Sequence, residues 1–346
     1  MNFALIGTGT IAHTHAKAIQ SLPDTKLTGC YSRTEQKRKE FAEKYNCKAY
    51  DSLDSLVSDP ETDIVIITTP SGDHMASGLA AIQNGKHVII EKPLEITLEK
   101  IDKLIVAAEE HNVKLTCIFQ SRFTGASREL KKAVEQGRFG TITMADAIVK
   151  WYRTQEYYDS GKWRGTRELD GGGALMNQSI HAIDLLHWLA GDVDYLMAIT
   201  GTLGHERIEV EDTAAAVLKF RNGAIGVIQG TTTAYPGFQK RIEINGTRGS
   251  VVMEDDHFTH WTFKDETDDD ERIRKEFGES KMPQGTESDP TINPVELFAA
   301  QISDFIGAVR NNREPFITPE DARKSVEIIL GIYESASKKA PFFFKG

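Results

Sequence analysis

The sequence predicts an α/β protein of two domains: a doubly wound parallel sheet, then an α/β domain with an open, mostly antiparallel sheet. The chain of 346 residues is longer than one ordinary domain of about 100–200 residues. In its first third, short apolar runs alternate with longer helix-like stretches, as in βαβ units. Later, strand-like runs follow one another across tight turns, which indicates antiparallel pairing. We therefore place the domains at residues 1–120 and 121–346.

In the first domain, strands and helices alternate strictly. The helical stretches lie at residues 12–21, 33–45, 73–84 and 98–111, and Gly85 after the third is a typical helix stop. Short apolar runs predict the strands Phe3–Ile6, Leu27–Cys30, Ile64–Thr68, Val88–Ile90 and Leu115–Phe119.

In the second domain, a run of three glycines, residues 171–173, is expected to open an amphipathic helix that ends near Leu189. Two further helices close the chain at residues 294–310 and 319–337. The acidic stretch after Lys264 is expected to be a solvated loop; it lacks the spacing of a calcium loop, and no metal site is predicted. Alternating patterns predict strands at 141–152, 197–202, 214–220, 224–232, 241–245 and 249–253.

The composition favours a globular protein and excludes several partners. Hydrophobic residues make up 40% of the chain, enough to bury a sizeable core. A formal net charge of -10 repels phosphate backbones, so we expect no nucleic-acid partner. No apolar run approaches the ~18 residues of a membrane span, and three cysteines without a C-x-x-C pair fit a reducing compartment. We therefore expect a cytoplasmic protein with no membrane partner.

A glycine-rich loop follows the first predicted strand and precedes the first helix. Glycines at this point allow a tight turn and close approach of the backbone to a diphosphate at the helix N-terminus. This arrangement predicts a Rossmann domain that binds a nicotinamide dinucleotide. The expected contacts are Gly7, Thr8, Gly9, Thr10, Ile11 and Ala12.

The end of the second strand bears on the choice between NAD and NADP. The acidic residue that usually binds the ribose 2′-hydroxyl is absent there, and Ser32 and Arg33 stand in its place, with Arg38 on the following helix. A hydroxyl beside guanidinium groups favours a 2′-phosphate, so the cofactor is NAD(P) with a preference for NADP. Alternatively, Arg33 stacks on the adenine face, which leaves NAD acceptable.

Further along, three motifs follow in order: Thr69-Pro70 followed by His74, then Glu91-Lys92-Pro93, then the glycine run followed by Asn177, His181 and Asp184. They resemble those of the Gfo/Idh/MocA oxidoreductases. The resemblance spans nearly the whole chain and implies the family's fold, with an open sheet that often carries an oligomer interface. A dimer or tetramer is therefore expected.

The resemblance also implies roles for these residues. Thr69, Pro70, His74, Glu91 and Lys92 would line the cofactor site, His74 by closing the nucleotide pocket or only by capping its helix. The Lys92 ammonium would bind the reacting oxygen, and in this family the Lys-Pro bond is commonly cis.

His181 is the candidate acid or base, because imidazole titrates near neutral pH. Asn177 and Asp184 would share its helix face and point at the substrate cleft. Many family members carry aspartate where this chain has Asn177; an amide can orient the substrate hydroxyl but cannot accept its proton. The catalytic set is therefore Lys92, His181 and Asn177.

An aromatic and cationic set precedes the glycine run. Arginine forks bind carboxylate or phosphate, and aromatic faces stack on sugar or base rings. The alternative is an exposed sheet face with snorkelling side chains. With Asn177 and Asp184, the predicted substrate-binding residues are Arg122, Arg153, Tyr157, Trp163 and Arg164.

Together these features predict hydride transfer between a nicotinamide and a secondary alcohol or ketone of a small-molecule sugar. The segment 151–166 resembles the family branch that acts on nucleotide-linked or N-acetylated sugars. Two other readings stay open: a non-catalytic dinucleotide sensor of the same fold, and a glycosidase that uses NAD.

Overall fold

The computed structural model describes residues 1–279 and 294–345. These fall into two compact units, Met1–Gln120 with Asn293–Arg323, and Ser121–Ile292 with Lys324–Gly346. In chain order the strands are β1 (Asn2–Ile6), β2 (Lys26–Tyr31), β3 (Lys48–Ala49), β4 (Ile64–Ile67), β5 (His87–Ile90), β6 (Leu115–Cys117), β7 (Ile142–Lys150), β8 (Val193–Gly201), β9 (Thr213–Phe220), β10 (Ile225–Thr231), β11 (Arg241–Gly246), β12 (Gly249–Glu254), β13 (His257–Phe263) and β14 (Phe342–Phe343).

Helices separate most of these strands. Among the described residues, no helix is both long and apolar enough to cross a membrane. A π-helix, Ala174–Ser179, precedes the eighth α-helix. The α-helices are α1 (Thr10–Ser21), α2 (Glu35–Tyr45), α3 (Leu53–Val57), α4 (His74–Gln83), α5 (Leu98–Glu110), α6 (Gly125–Glu135), α7 (Gln155–Asp159), α8 (Ile180–Ala190), α9 (Asp268–Phe277), α10 (Val295–Arg310) and α11 (Pro319–Lys338).

The first unit is a doubly wound parallel sheet, as the sequence predicts. Its strand order is β3-β2-β1-β4-β5-β6, so the direction of winding reverses between β1 and β4. Every residue of β4 is buried, as expected for a strand covered on both faces. Ligands of such sheets bind at the carboxyl ends of the strands near this reversal.

One part of the predicted domain division is wrong. Everything after residue 120 was assigned to the second domain, but Asn293–Arg323 belongs to the first unit. Phe298, Ile302 and Phe305 of α10 lie in the same buried cluster as Ala12 and Ala16 of α1. Burial of these apolar side chains holds α10 against the first sheet's helices, although nearly three hundred residues separate the two in the chain.

The second unit contains the predicted open sheet, in the order β13-β12-β11-β7-β10-β9-β8-β14. Its strands pair antiparallel except for β7 and β10, which run parallel. Along β8, Leu196 and Ala198 are buried while Met197 and Ile199 are exposed, so one face of the sheet is covered and the other is open. The predicted helix after the glycine run begins as the π-helix and continues as α8.

The acidic stretch is not the solvated loop predicted from its charge. Four of its acids form the first turn of α9, where negative charge is favourable. Asp270 is fully buried and accepts hydrogen bonds from the Arg138 guanidinium, at 2.7 Å, and from Trp261 Nε1, at 2.6 Å. Burial works to raise the pKa of Asp270, but these bonds and one from the Thr267 amide outweigh it and hold that pKa well below its usual range.

Asp270→Asn is expected to lower the free energy of unfolding by roughly 1–3 kcal/mol at neutral pH. A depressed carboxyl pKa contributes stability that is complete above the unfolded-state value of about 3.9 and is lost as the pH falls towards the folded-state value. The difference in the free energy of unfolding between the variant and the wild type should therefore become smaller as the pH falls. Urea unfolding at several pH values measures it, with the exposed Asp268→Asn as control; a difference that does not change with pH would contradict the role of the charge.

Candidate active site

The glycine loop lies at the carboxyl end of β1, beside the end of β4. Gly7 has a φ of +101°, and a Cβ there would stand 2.6 Å from the Thr68 carbonyl oxygen. Its amide donates to the Tyr31 carbonyl at the end of β2. Glycine is thus required by the close approach of the chain to β4.

Helix α1 begins directly after this loop and presents an N-terminus suited to an anion. Gly9 is its N-cap, with no side-chain capping bond and no acidic residue in the first turn. A Cβ at Gly9 would meet nothing within 4 Å, so the space in front of the loop is open. Thr8 and Thr10 reach solvent there, while Ile11 and Ala12 pack towards the core. Backbone amides at such a helix end bind phosphate.

Of the residues expected near the ribose, only some are accessible. The Arg33 side chain is 77% exposed and makes a 3.3 Å contact with the Asp73 carboxylate. Arg38 does not fit the predicted cofactor role: it is buried, and its guanidinium donates to Asp51 and to the Ser32 carbonyl. The sequence did not reveal this, because the Asp51 partner lies beyond the next strand.

His74 joins two turns and is almost fully buried, so the structure gives it a positioning role in place of the predicted cofactor contact. Its ring nitrogens lie 2.8 Å from the Pro93 carbonyl oxygen and 3.0 Å from that of Thr69. Burial lowers the pKa of His74, and the hydrogen bonds to the Thr69 and Pro93 carbonyls oppose that drop. The half-buried Thr69-Pro70 turn is thereby tied to the turn that carries Lys92.

Lys92 follows β5 and is partly accessible between two buried neighbours, Glu91 and Pro93. The Lys92-Pro93 bond is cis, as the resemblance implies. Glu91 Oε1 lies 2.7 Å from Nε2 of the buried His15, and its Oε2 accepts the Lys92 amide. Glu91 therefore holds the backbone of the turn.

In the second unit, the glycine run is required by close packing. A Cβ at Gly173 would lie 1.8 Å from the Glu211 carbonyl oxygen, and one at Gly172 would lie 2.2 Å from the Tyr333 hydroxyl. The Glu211 carboxylate accepts the amides of Gly173 and Leu175 and the Tyr333 hydroxyl. Burial raises the pKa of Glu211, and these hydrogen bonds oppose the rise. Glu211 thus anchors the start of the π-helix, a role that the sequence analysis missed.

The π-helix and α8 expose two side chains in an otherwise buried stretch. Between residues 172 and 186, all are buried except Asn177 and His181, which are partly accessible. Polar side chains that alone reach solvent from a buried helix are placed to contact a ligand. Asn177 and His181 are thus the candidates of this stretch for contact with a ligand, and π-helices are frequent at functional sites.

Asp184 and Arg122, however, do not line this position. Both are fully buried, and the carboxylate accepts a two-pronged bond from the guanidinium at 2.8 and 2.7 Å. Asp184 also accepts the Ser325 hydroxyl, at 3.2 Å. The prediction that they bind substrate is therefore wrong, because each charge is paired inside the core of the unit.

A chain of polar side chains joins Asn177 to the loop after β7. The buried Asp170 accepts the Asn177 amide at 2.6 Å, and Gln178 Nε2 donates to the Asn177 carbonyl and to the Tyr157 hydroxyl. Arg153 is buried and donates to the Gln178 carbonyl oxygen at 3.1 Å. Burial also lowers the pKa of Arg153.

The remaining predicted substrate residues form a stack. The Arg164 guanidinium lies over the Tyr157 ring at 4.2 Å and over the Trp163 ring at 4.7 Å. Arg153 lies 5.6 Å from the centre of the same Tyr157 ring. Both guanidinium groups thus lie close to the tyrosine ring, and cations beside aromatic rings suit an anionic ligand with a ring.

The parallel sheet and the uncapped helix at its glycine loop define a dinucleotide-binding domain. Residues 1–119 match the family described as oxidoreductase family, NAD-binding Rossmann fold, and residues 127–252 match the GFO/IDH/MocA C-terminal domain. The chain belongs to the Gfo/Idh/MocA family, which confirms the resemblance. It is an NAD(P)-dependent oxidoreductase.

The chain is similar to several known dehydrogenases. The WlbA dehydrogenase of Bordetella pertussis, solved with NADH and UDP-GlcNAcA, is 31% identical, with a TM-score of 0.89 over 100% of this chain and 99% of its own. The Chromobacterium violaceum WlbA dehydrogenase, solved with the same two ligands, is 32% identical, with a TM-score of 0.90 over 100% and 96%. A myo-inositol 2-dehydrogenase of Thermotoga maritima is 27% identical over 98% of this chain and 96% of its own.

Proposed function

We propose that this enzyme oxidises a secondary hydroxyl of a nucleotide-linked sugar acid, of the kind represented by UDP-GlcNAcA. The observation that carries the proposal is the cationic and aromatic cluster of Arg153, Tyr157, Trp163 and Arg164, connected by hydrogen bonds to Asn177. A sugar acid on a diphosphate offers the negative charge and the ring that this cluster favours. The two WlbA dehydrogenases that hold UDP-GlcNAcA support the same substrate class.

The catalytic roles follow from the chemistry of each side chain. When bound, a nicotinamide dinucleotide supplies the hydride acceptor. We assign to the Lys92 ammonium a hydrogen bond to the reacting oxygen, which stabilises negative charge as the hydroxyl proton leaves. We assign to His181 the acceptance of that proton. The Asn177 side chain orients a hydroxyl of the sugar.

Turnover itself tests the function. Purified enzyme is mixed with NAD⁺ or NADP⁺ and, in turn, with UDP-GlcNAcA, free sugar acids, inositols and neutral aldoses, and nicotinamide absorbance is followed. We expect the highest kcat/KM with UDP-GlcNAcA. Faster turnover of an inositol would overturn the substrate class, and cofactor binding without turnover of any compound would favour the sensor reading.

Arg164→Ala is expected to raise the KM for UDP-GlcNAcA about tenfold or more, because a charge-assisted bond to the ligand is worth roughly 1.5–3 kcal/mol. The KM for the cofactor should not change. Lys162→Ala removes an exposed charge from the same loop and is the matched control. An equal rise in the KM for UDP-GlcNAcA in both variants would mean that the loop attracts the substrate only through its overall positive charge.

The choice of cofactor rests on Arg33, since Arg38 is engaged with Asp51. NADH in the solved WlbA dehydrogenases supports NAD(H) as a usable cofactor, and the preference for NADP stays a prediction of Ser32 and Arg33. We expect Arg33→Ala to weaken NADPH binding about tenfold and NADH binding much less. Fluorescence titration with both reduced cofactors measures this, with exposed Lys39→Ala as control. An equal effect on both would show that Arg33 only stacks on adenine.

We also infer that the open sheet face pairs with a second copy of the chain. Met197, Val217 and Ile225, on three neighbouring strands, are 52%, 56% and 50% exposed, and Ile199 is 78% exposed. Contiguous apolar surface of this kind marks an interface, and sheets pack face to face through it. Light scattering should show an oligomer that Met197→Glu with Val217→Glu dissociates, while Val106→Glu does not. A monomeric wild type would contradict the pairing.

A further inference from the structure

We propose that Asp170 is a positioning residue that fixes the amide of Asn177 so that its carbonyl oxygen, and not its NH₂ group, meets the sugar hydroxyl. The inference rests on the proposed function, because it concerns how that substrate is held. Asp170 was not among the residues that the sequence analysis selected, although it stands directly before the glycine run.

The contacts of the carboxylate leave one orientation for Asn177. Asp170 is 2% exposed; its Oδ1 accepts Asn177 Nδ2 at 2.6 Å, and its Oδ2 accepts the Gly165 amide at 2.8 Å. An ionised carboxylate only accepts hydrogen bonds, so the NH₂ group of Asn177 has to face it. The carbonyl oxygen of Asn177 consequently points away from Asp170.

The next links in the chain require the same orientation. Gln178 Nε2 donates to the Asn177 carbonyl oxygen at 3.3 Å, and Arg153 donates to the Gln178 carbonyl oxygen at 3.1 Å. Along this chain of hydrogen bonds, the side-chain amides of Asn177 and Gln178 therefore both turn their NH₂ group towards Asp170 and their carbonyl oxygen towards Arg153. Reversing either amide would bring two donors or two acceptors face to face, which costs free energy when the groups are buried.

The orientation matters because Asn177 is one of the two accessible side chains in its stretch. A carbonyl oxygen accepts a hydrogen bond from a sugar hydroxyl and leaves the hydroxyl oxygen open to another donor. A reversed amide would donate to that oxygen and turn the hydroxyl away. Asp170 thus acts on the substrate through Asn177, without contacting it.

Exchange of the two side chains tests the inference. In Asp170→Asn, one of the two acceptor oxygens is replaced by an NH₂ group. This group faces either the Gly165 amide or the Asn177 amide, so the orientation of the Asn177 amide is no longer fixed. We expect kcat/KM for UDP-GlcNAcA to fall roughly tenfold to hundredfold, with unchanged NADH affinity. In the double variant Asp170→Asn with Asn177→Asp, every donor again finds an acceptor and the accessible group is still an oxygen. We expect recovery to within about threefold of wild type.

A spectroscopic readout works without any substrate. The side-chain amide signals of Asn177, assigned by their absence in Asn177→Asp, should include one proton shifted strongly downfield by the short bond to the carboxylate. The shift should be lost in Asp170→Asn and retained in the control Asp159→Asn, an exposed acid at the end of α7.

The two readouts separate the two proposals. If wild type turns over no nucleotide-linked sugar, the proposed function fails, while the amide signals still report on Asp170. If the signals do not change in Asp170→Asn, or if the double variant is no better than the single one, the positioning role is overturned.

Discussion

Lys92→Ala is expected to lower kcat about 10²- to 10³-fold, the cost of removing one donor that stabilises a developing oxyanion. The turn around Lys92 is held independently of its side chain, because Glu91 binds the Lys92 amide and His15, and His74 contacts the Pro93 carbonyl. The substitution should therefore leave the turn in place and NADH affinity nearly unchanged. Steady-state kinetics and cofactor titration measure the two effects.

The matched control is Lys103→Ala, which removes an exposed ammonium of α5 that pairs with Glu99. This variant should behave as wild type. A Lys92→Ala enzyme with normal kcat and a raised KM would contradict the role of Lys92 at the reacting oxygen, because it would show that the ammonium binds substrate and transition state equally.

His181→Gln is expected to lower kcat about 10²- to 10⁴-fold, the usual contribution of a positioned acid or base. Glutamine retains polar atoms on the accessible face of α8 but cannot take up the hydroxyl proton. The surrounding residues, Ala182 to Leu186, are buried, so the fold of the helix should not depend on the ring. Unfolding by urea checks that stability is retained.

His187→Gln is the control, six residues further along the same helix. Burial lowers the pKa of His187, and its ring contacts the Gly191 carbonyl at the helix end. We expect normal turnover in this variant. If His187→Gln lost as much activity as His181→Gln, the effect would lie in the helix and not in proton transfer.

The sequence predicted the glycine turn and the parallel sheet of the first unit correctly, although it missed the short β3 and α3. Gly7 and Gly9 stand between a strand and a helix, and the parallel order around β1 follows from the alternation of apolar runs. Periodicity along one segment is sufficient for such elements. It could not place α10, whose partner α1 lies at the other end of the chain.

Errors in the predicted site have the same origin. Helical spacing places Asp184 near the face of His181, but whether a carboxylate meets solvent or a buried guanidinium depends on Arg122, 62 residues earlier. Glu211 acts on the glycine run from 38 residues away. In the sequence, Glu211 is marked only by its position: with Asp212 it forms a pair of acidic residues directly before the alternating strand β9. Long-range pairs of this kind need coordinates.

We propose that Lys92 and His181 serve one hydride transfer, and a double variant tests this proposal most directly. Residues that act as a unit show strongly non-additive losses. We predict that Lys92→Ala combined with His181→Gln turns over UDP-GlcNAcA about as slowly as the slower single variant. A kcat reduced by the product of the two separate losses would contradict the account.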